Sequence, residues 1–340
     1  MSVTIREIDG DGTDRWDEFV RACPEGTFFH LSGWKSVIER SFGHRAYFLS
    51  AESGGGIAGV LPLVHVRGRF FSNALISSAF CIYGGTLALD DSAGRALDEA
   101  ACALADRLGV DYLEYRNRRR THPDWACNAD LYVTFRKRLD PVADRNLRSV
   151  RRKMIRKAVK AGVETRIDGD VETFFPLYAE SVRNHGTPVF SKAYFRNLKA
   201  QFGDDCEILT VLQGGRPVAG LLSFYFRDEV LPYYAGSIPA ARAVAAHDYM
   251  YWDVMRRACE SGHLIYDLGR SKRGSGSYAF KEHWNFEPAP LFHEYRLRPG
   301  CAMPNVNPFN PKYRLLIAAW RCLPLPVANW LGPFIARDLG

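Results

Sequence analysis

The sequence has 340 residues, 47% hydrophobic and 24% charged, which is enough apolar material for ordinary cores and a length that suits two domains. The net charge of +7 fits anionic partners, and with no apolar leader and no run of about 18 apolar residues the chain is expected to be cytoplasmic and not membrane-spanning. Eight scattered cysteines without a CxxC pair, and nine histidines in neither HExxH nor zinc spacing, predict reduced thiols and no metal site, while missing GxSxG, Walker and GxGxxG motifs argue against hydrolases, NTPases and Rossmann dehydrogenases.

Apolar spacing along the first half predicts a strand over Thr4–Ile8, helices over Thr13–Arg21 and Gly33–Ser41, and strands over Arg45–Glu52 and Ile57–Val66. A strand region around Leu75–Leu87, a helix over Ala93–Leu108 and a strand over Asp111–Tyr115 follow, and Leu131–Arg138 is expected to close this unit. Beyond it lies a basic helix. On a 100° wheel Leu147, Val150, Met154, Ile155, Ala158 and Val159 form one apolar sector, with Arg148, Arg152 and Arg156 as a stripe at its edge. Arg151 projects from the middle of that sector, so it requires an internal carboxylate or a ligand phosphate as partner.

The second half predicts a strand over Gly162–Ile167, a helix over Val171–Arg183 and a helix over Ala193–Gln201 behind Ser191 as N-cap. Strands over Glu207–Leu212, Pro217–Arg227 and Glu229–Ala235 come next, then a helix over Asp248–Ser261 ended by Gly262. A strand over Leu264–Leu268, a short helix over Ser277–His283 and a strand over Leu291–Leu297 complete the order. Both halves thus read β-α-α-β-β-β-α-β, each closed by a further strand. A few residues coincide between them: Phe29 falls on Phe190, Ala58-Gly59 on Ala219-Gly220 and Glu114 on Asp267.

That order resembles the connectivity of the GNAT acyltransferase fold, so the expected fold class is α/β (α+β): two tandem GNAT-like units, each a mixed twisted sheet flanked by helices. Two such units in one chain resemble the FemAB family, which transfers amino acids from aminoacyl-tRNA in building peptidoglycan bridges. The resemblance rests on the basic stretch Asn146 to Val163, on Tyr266-Asp267-Leu268-Gly269-Arg270-Ser271, and on Phe280-Lys281-Glu282-His283-Trp284-Asn285-Phe286, which is similar to the family's Phe-Lys-x-x-Phe-Gly motif with Asn285 in place of glycine. The segments His185 to Lys192 and Ser223 to Gly236 are similar to a FemAB subgroup associated with exosortase/PEP-CTERM and exopolysaccharide gene clusters. The pattern implies a first domain over 1–143, a second carrying the transfer site over 144–298, and a tail over 299–340 packing back on the first.

The resemblance implies that Lys281 lines the transfer site, where its ammonium would face the oxyanion formed when an amine attacks an ester or thioester. Asp267, ending an apolar strand, is the candidate general base, and Tyr278, one turn before Lys281, the candidate donor of a leaving-group proton. Arg148, Arg151, Arg152 and Arg156 are expected to hold phosphates, and His185 and Lys192 to bracket an acceptor loop. Tyr233, Tyr234, Arg270 and Phe280 join the expected substrate-binding set. One of the two tyrosines must face the cleft and the other the opposite side. The implied activity is acyl or aminoacyl transfer to an amine or hydroxyl of a cell-envelope or exopolysaccharide precursor. No cofactor is expected to stay bound; the donor is acyl-CoA or aminoacyl-tRNA. The partners expected are a nucleotide- or lipid-linked sugar, a tRNA with the second donor, and the inner membrane face in peripheral contact. The alternative is a degenerate, non-catalytic GNAT tandem that binds a phosphosugar or a partner protein; Pro239 to Ala246 replaces the GNAT pyrophosphate loop.

Overall fold

The computed structural model of the chain describes residues 3–8, 12–68, 73–304 and 311–340, with the side chains of the last stretch described from 315 onward. Its contacts define two units, each built on its own mixed sheet. The first comprises Met1–Leu131, Pro290–Val306 and Ala336–Gly340. Its elements are β1 (Thr4–Glu7), α1 (Thr13–Ala22), α2 (Gly33–Phe42), β2 (Arg45–Ser53), β3 (Gly56–Arg67), β4 (Asn73–Ser77), β5 (Leu87–Ala88), α3 (Asp91–Leu108), β6 (Tyr112–Asn117) and β7 (Ala126–Asn128). The helix α3 starts where the Asp90 carboxylate accepts the N–H groups of Ser92 and Ala93, and stops at left-handed Gly109. Its Leu97, Ala101 and Leu104 are buried against the sheet with Leu49, Leu61 and Leu63.

The second unit comprises Tyr132–Ala289 and Asn307–Ile335. It begins with β8 (Tyr132–Arg138), α4 (Ser149–Lys160), β9 (Val163–Ile167), α5 (Val171–His185), α6 (Lys192–Phe202), β10 (Cys206–Gln213), β11 (Arg216–Phe226) and β12 (Glu229–Ser237). The four-residue turn of helix α7 (Ala240–Ala243), α8 (Ala246–Glu260), β13 (Ile265–Lys272), α9 (Gly276–Glu282) and β14 (Pro288–Pro290) follow. After β15 (Phe292–Leu297) the chain ends in α10 (Pro311–Cys322) and α11 (Leu325–Ala336). Ser191 caps α6 as expected, its hydroxyl accepting the Tyr194 N–H. Gly236 matters for packing: a Cβ there would run into the Tyr178 backbone of α5, so only glycine lets that helix lie this close to β12.

The sheets run β1-β2-β3-β4-β6-β15-β7, with β5 beside β3, and β14-β8-β13-β12-β11-β10-β9. This corrects the expected closing strands. β8 does not close the first sheet but lies antiparallel to β13, and β15 lies antiparallel to β6. Alternation along a strand fixes which face is buried, not which neighbour it takes. The division accordingly falls at 131/132 rather than 143/144, and 307–335 group with the second unit rather than the first.

The basic helix α4 also differs from its wheel. Leu147, Ile155 and Ala158 are buried, but Val150 and Val159, at the two edges of the apolar sector, are exposed. The buried face is narrower than the apolar one.

Candidate active site in the second unit

β12 and β13 are parallel and pair only at Glu229–Ile265 and Val230–Tyr266. Past those residues the two strands part. Asp267 is the first residue of β13 beyond the pairing, and the register of β13 on β8 slips between Asp267 and Arg270. Gly269 takes φ +68° in that irregularity. The Asp267 carboxylate accepts the Gly269 N–H at 2.7 Å and the Thr134 hydroxyl at 3.3 Å, so the side chain shapes the bulge it belongs to.

Lys281 reaches the same bulge from α9, which the Ser275 hydroxyl caps at the Tyr278 N–H. Its Nζ donates to the carbonyls of Gly269 at 2.9 Å and Arg270 at 3.0 Å and lies 5.6 Å from the Phe135 ring centre. An ammonium has three donors and two are engaged here. Only 9% of the residue is exposed. Burial drives its pKa down from 10.5, the Asp267 carboxylate pulls it back up, the Arg270 guanidinium lowers it again, and it settles at about 7. Lys281 therefore changes charge in the neutral range.

α9 is followed by Asn285 at φ +64°. The left-handed turn explains why glycine suits this place, and asparagine is among the few side chains that tolerate it. Tyr278 stands half-buried against Phe135, with ring centres 5.3 Å apart.

The other expected residues do not converge on one point. Arg151 finds the internal carboxylate that its position demands: it pairs with Asp248 in the first turn of α8 and lies over the rings of Phe280 and Trp284. Arg148 donates to the Asn285 side chain, Arg152 to the Asp144 carbonyl, and Arg156 is exposed. Tyr234 is buried among Tyr178, Phe190, Tyr194 and Phe195, its hydroxyl 2.9 Å from that of Tyr194, while Tyr233 packs on Phe224. His185 bonds back to the Ser181 carbonyl of its own helix, and Lys192 pairs with Glu172 at the surface. Arg270 lies over the Tyr132 ring rather than on Asp267.

Asp267 itself has no exposed surface. Its carboxylate is engaged with the Gly269 N–H and the Thr134 hydroxyl and acts electrostatically on the buried Lys281. Sequence reasoning missed Thr134 and Phe135, because β8 was assigned to the other sheet. It also missed the bend at Ala245, which takes φ +54° immediately before α8, a helix with no side-chain cap. Among the described residues no group of three or more His, Cys, Asp or Glu could hold a metal ion.

Comparison with known proteins agrees with this geometry. Residues 145–282 match the family model described as "Acetyltransferase (GNAT) domain", a stretch that contains both Asp267 and Lys281. The fold is similar to the crystal structure of FemX, at TM-score 0.66 and 15% identity over 92% of this chain and all of that one. It is also similar to L-PGS from Bacillus licheniformis, at TM-score 0.59 and 14% identity, covering 94% of this chain and 99% of that one. A tandem GNAT protein from the clavulanic acid biosynthesis pathway matches at TM-score 0.54 and 13% identity, over 86% of this chain and 98% of that one. No curated protein matches the sequence. The chain has the architecture of a tandem GNAT protein, and its second unit carries the GNAT domain match.

Proposed function

We propose that the second unit transfers an acyl or aminoacyl group to an amine or hydroxyl of a cell-envelope or exopolysaccharide precursor at the cytoplasmic face, the setting of the FemAB and exosortase-associated resemblance. The observation that carries this reading is Lys281, buried at the point where β12 and β13 part, tied to the bulge by two carbonyls and titrating near neutrality. The nucleophile attacks the activated carbonyl, the oxyanion takes a hydrogen bond from the third Lys281 donor, and collapse breaks the bond to the thioester sulfur or ester oxygen, which leaves as thiol or ribose hydroxyl with the proton that the nucleophile gives up. Asp267 acts as a positioning residue, raising the protonated fraction of Lys281. The edge of α4 with Arg148, Arg152 and Arg156 would meet donor phosphates together with the uncapped start of α8. These supports fit acyl-CoA and aminoacyl-tRNA alike, with a nucleotide- or lipid-linked sugar as acceptor.

Lys281→Ala should lower transfer about a hundredfold or more at unchanged fold, measured with both donors in parallel. Unchanged turnover would remove the role. The turn of helix α7, which fills the place of the pyrophosphate loop, favours the second reading of a non-catalytic phosphosugar binder. Retained phosphosugar binding with no transfer from either donor supports that alternative.

A further inference from the structure

The terminal helices show their polarity inside out. In α11 the small Ala328 is buried, and Gly332 lies so close to Val189 that a Cβ would sit 2.7 Å from its Cγ1. The large side chains point away: Trp330 is 68% and Phe334 61% exposed, and Val327, one turn earlier on the same stripe, is exposed too. α10 turns Ile317 to Gly186 but leaves Leu315 77% exposed beside the exposed Leu316, Ala318 and Ala319. A helix facing water does the reverse, and large apolar side chains left exposed on both helices, with Trp330 and Phe334 in ring contact, mark a surface that something covers.

Charge says what covers it. From 311 to 335 the sequence holds Lys312, Arg314 and Arg321 and no acidic residue. Arg321 is exposed at the end of α10, where it donates to the His185 carbonyl, and Arg183 of α5 donates to the Arg321 carbonyl beside it. Exposed apolar side chains that include a tryptophan, with Arg321 and Arg183 beside them and no acidic residue between 311 and 335, complement a hydrocarbon layer topped with anionic headgroups. Each helix has 12 residues, about 18 Å long against a hydrocarbon core of roughly 30 Å, so the helices would lie along a bilayer and not cross it. No helix among the described residues is long and apolar enough to span.

We propose that α10 and α11 seat the protein in the interface of an anionic lipid bilayer, with Leu315, Leu316, Trp330 and Phe334 entering the headgroup–acyl boundary. Binding is read without turnover, so the inference stands apart from the transfer reading.

The test is co-sedimentation of the full chain with phosphatidylcholine vesicles and with vesicles of equal parts phosphatidylcholine and phosphatidylglycerol. The parent should bind the anionic vesicles, more weakly as salt rises, and bind the neutral ones far less. Trp330→Ser/Phe334→Ser should weaken anionic-vesicle binding roughly tenfold or more without lowering the melting temperature, because both side chains are already in water. Leu315→Ser/Leu316→Ser, on the other helix, should act in the same direction. Absence of vesicle binding by the parent, equal binding to both vesicles, or equal binding by parent and folded variants would overturn the proposal. A parent dimer that the serine variants dissolve, with no vesicle binding, would also overturn it and assign the face to a second copy.

Discussion

Replacing Lys281 with methionine separates its two effects, because the apolar stem stays and the charge goes. In the folded chain Lys281 titrates at about 7 instead of 10.5, chiefly because it is buried. Below pH 7 both folded and unfolded chains carry the proton, and the folded one bears the full desolvation penalty. Between 7 and 10.5 the unfolded chain binds a proton that the folded one does not, so stability rises with pH across that window. Above 10.5 the penalty is gone. At about 1.4 kcal/mol per pH unit the gap corresponds to roughly 5 kcal/mol, an upper figure. The methionine variant leaves the Gly269 and Arg270 carbonyls without this donor, at about 1 kcal/mol each. The net expectation at pH 6 is a variant more stable than the parent by up to about 3 kcal/mol, with that advantage lost and reversed by pH 10. Urea unfolding of both proteins from pH 6 to 10 reads the difference directly. Transfer should fall at every pH even where stability rises, which a purely structural lysine would not produce. Parallel stability profiles for the two proteins would refute the reasoning.

Two further outcomes test the packing and the charge networks. Gly236→Ala should lower unfolding free energy by about 1–3 kcal/mol in a urea titration, because the new methyl meets the Tyr178 backbone rather than a movable side chain; an unchanged midpoint would mean that α5 does not approach β12 this closely. In the first unit burial pushes His122 down, but hydrogen bonds to Asp98 and Glu294 outweigh it and lift its pKa to about 9. The imidazolium therefore adds stability that is complete below pH 6.5 and lost as pH rises through 9, and an NMR titration of His122 with a midpoint near 6.5 would contradict that network.

Much of this fold was legible from spacing alone. Apolar periodicity locates α3 and α5 to within two residues at each end, and Ser191 marks the start of α6. Arg151 was legible as well: a guanidinium in an apolar sector needs a carboxylate, and Asp248 supplies it. What could not be read were long-range choices of partner. β8 and β15 each bury three consecutive residues, Val133 to Phe135 and His293 to Tyr295, and nothing within either strand says which sheet will take it. The terminal helices were hidden by their prolines. Pro311 and Pro326 fall in first turns, where a missing N–H costs little, so they start helices that a simple count of breakers would deny. The burial of Asp267 was obscured for another reason, since it depends on β8, α9 and the bulge together.

The two units solve the same topological problem differently, and the difference bears on where chemistry resides. In the first, β4 and β6 pair in parallel only from Ala74–Tyr112 to Ile76–Glu114. Glu114 is the last paired residue there, one position short of where Asp267 stands in the second unit. Burial raises the Glu114 pKa, yet Arg116 at 2.9 Å and His293 at 3.0 Å outweigh it and hold the carboxyl at about 2. Arg116 is fixed in turn by the Cys81 carbonyl, and a guanidinium does not give up its proton near neutral pH. The Glu114 carboxylate and the Arg116 guanidinium therefore keep their charges through the physiological range. In the second unit the cation beside the carboxylate is a lysine delivered by a short helix, with a pKa near 7 and a donor beyond its two carbonyls. A proton can move there under conditions where none moves at Glu114. That contrast supports the proposed transfer site in the second unit, the one whose residues 145–282 carry the GNAT match.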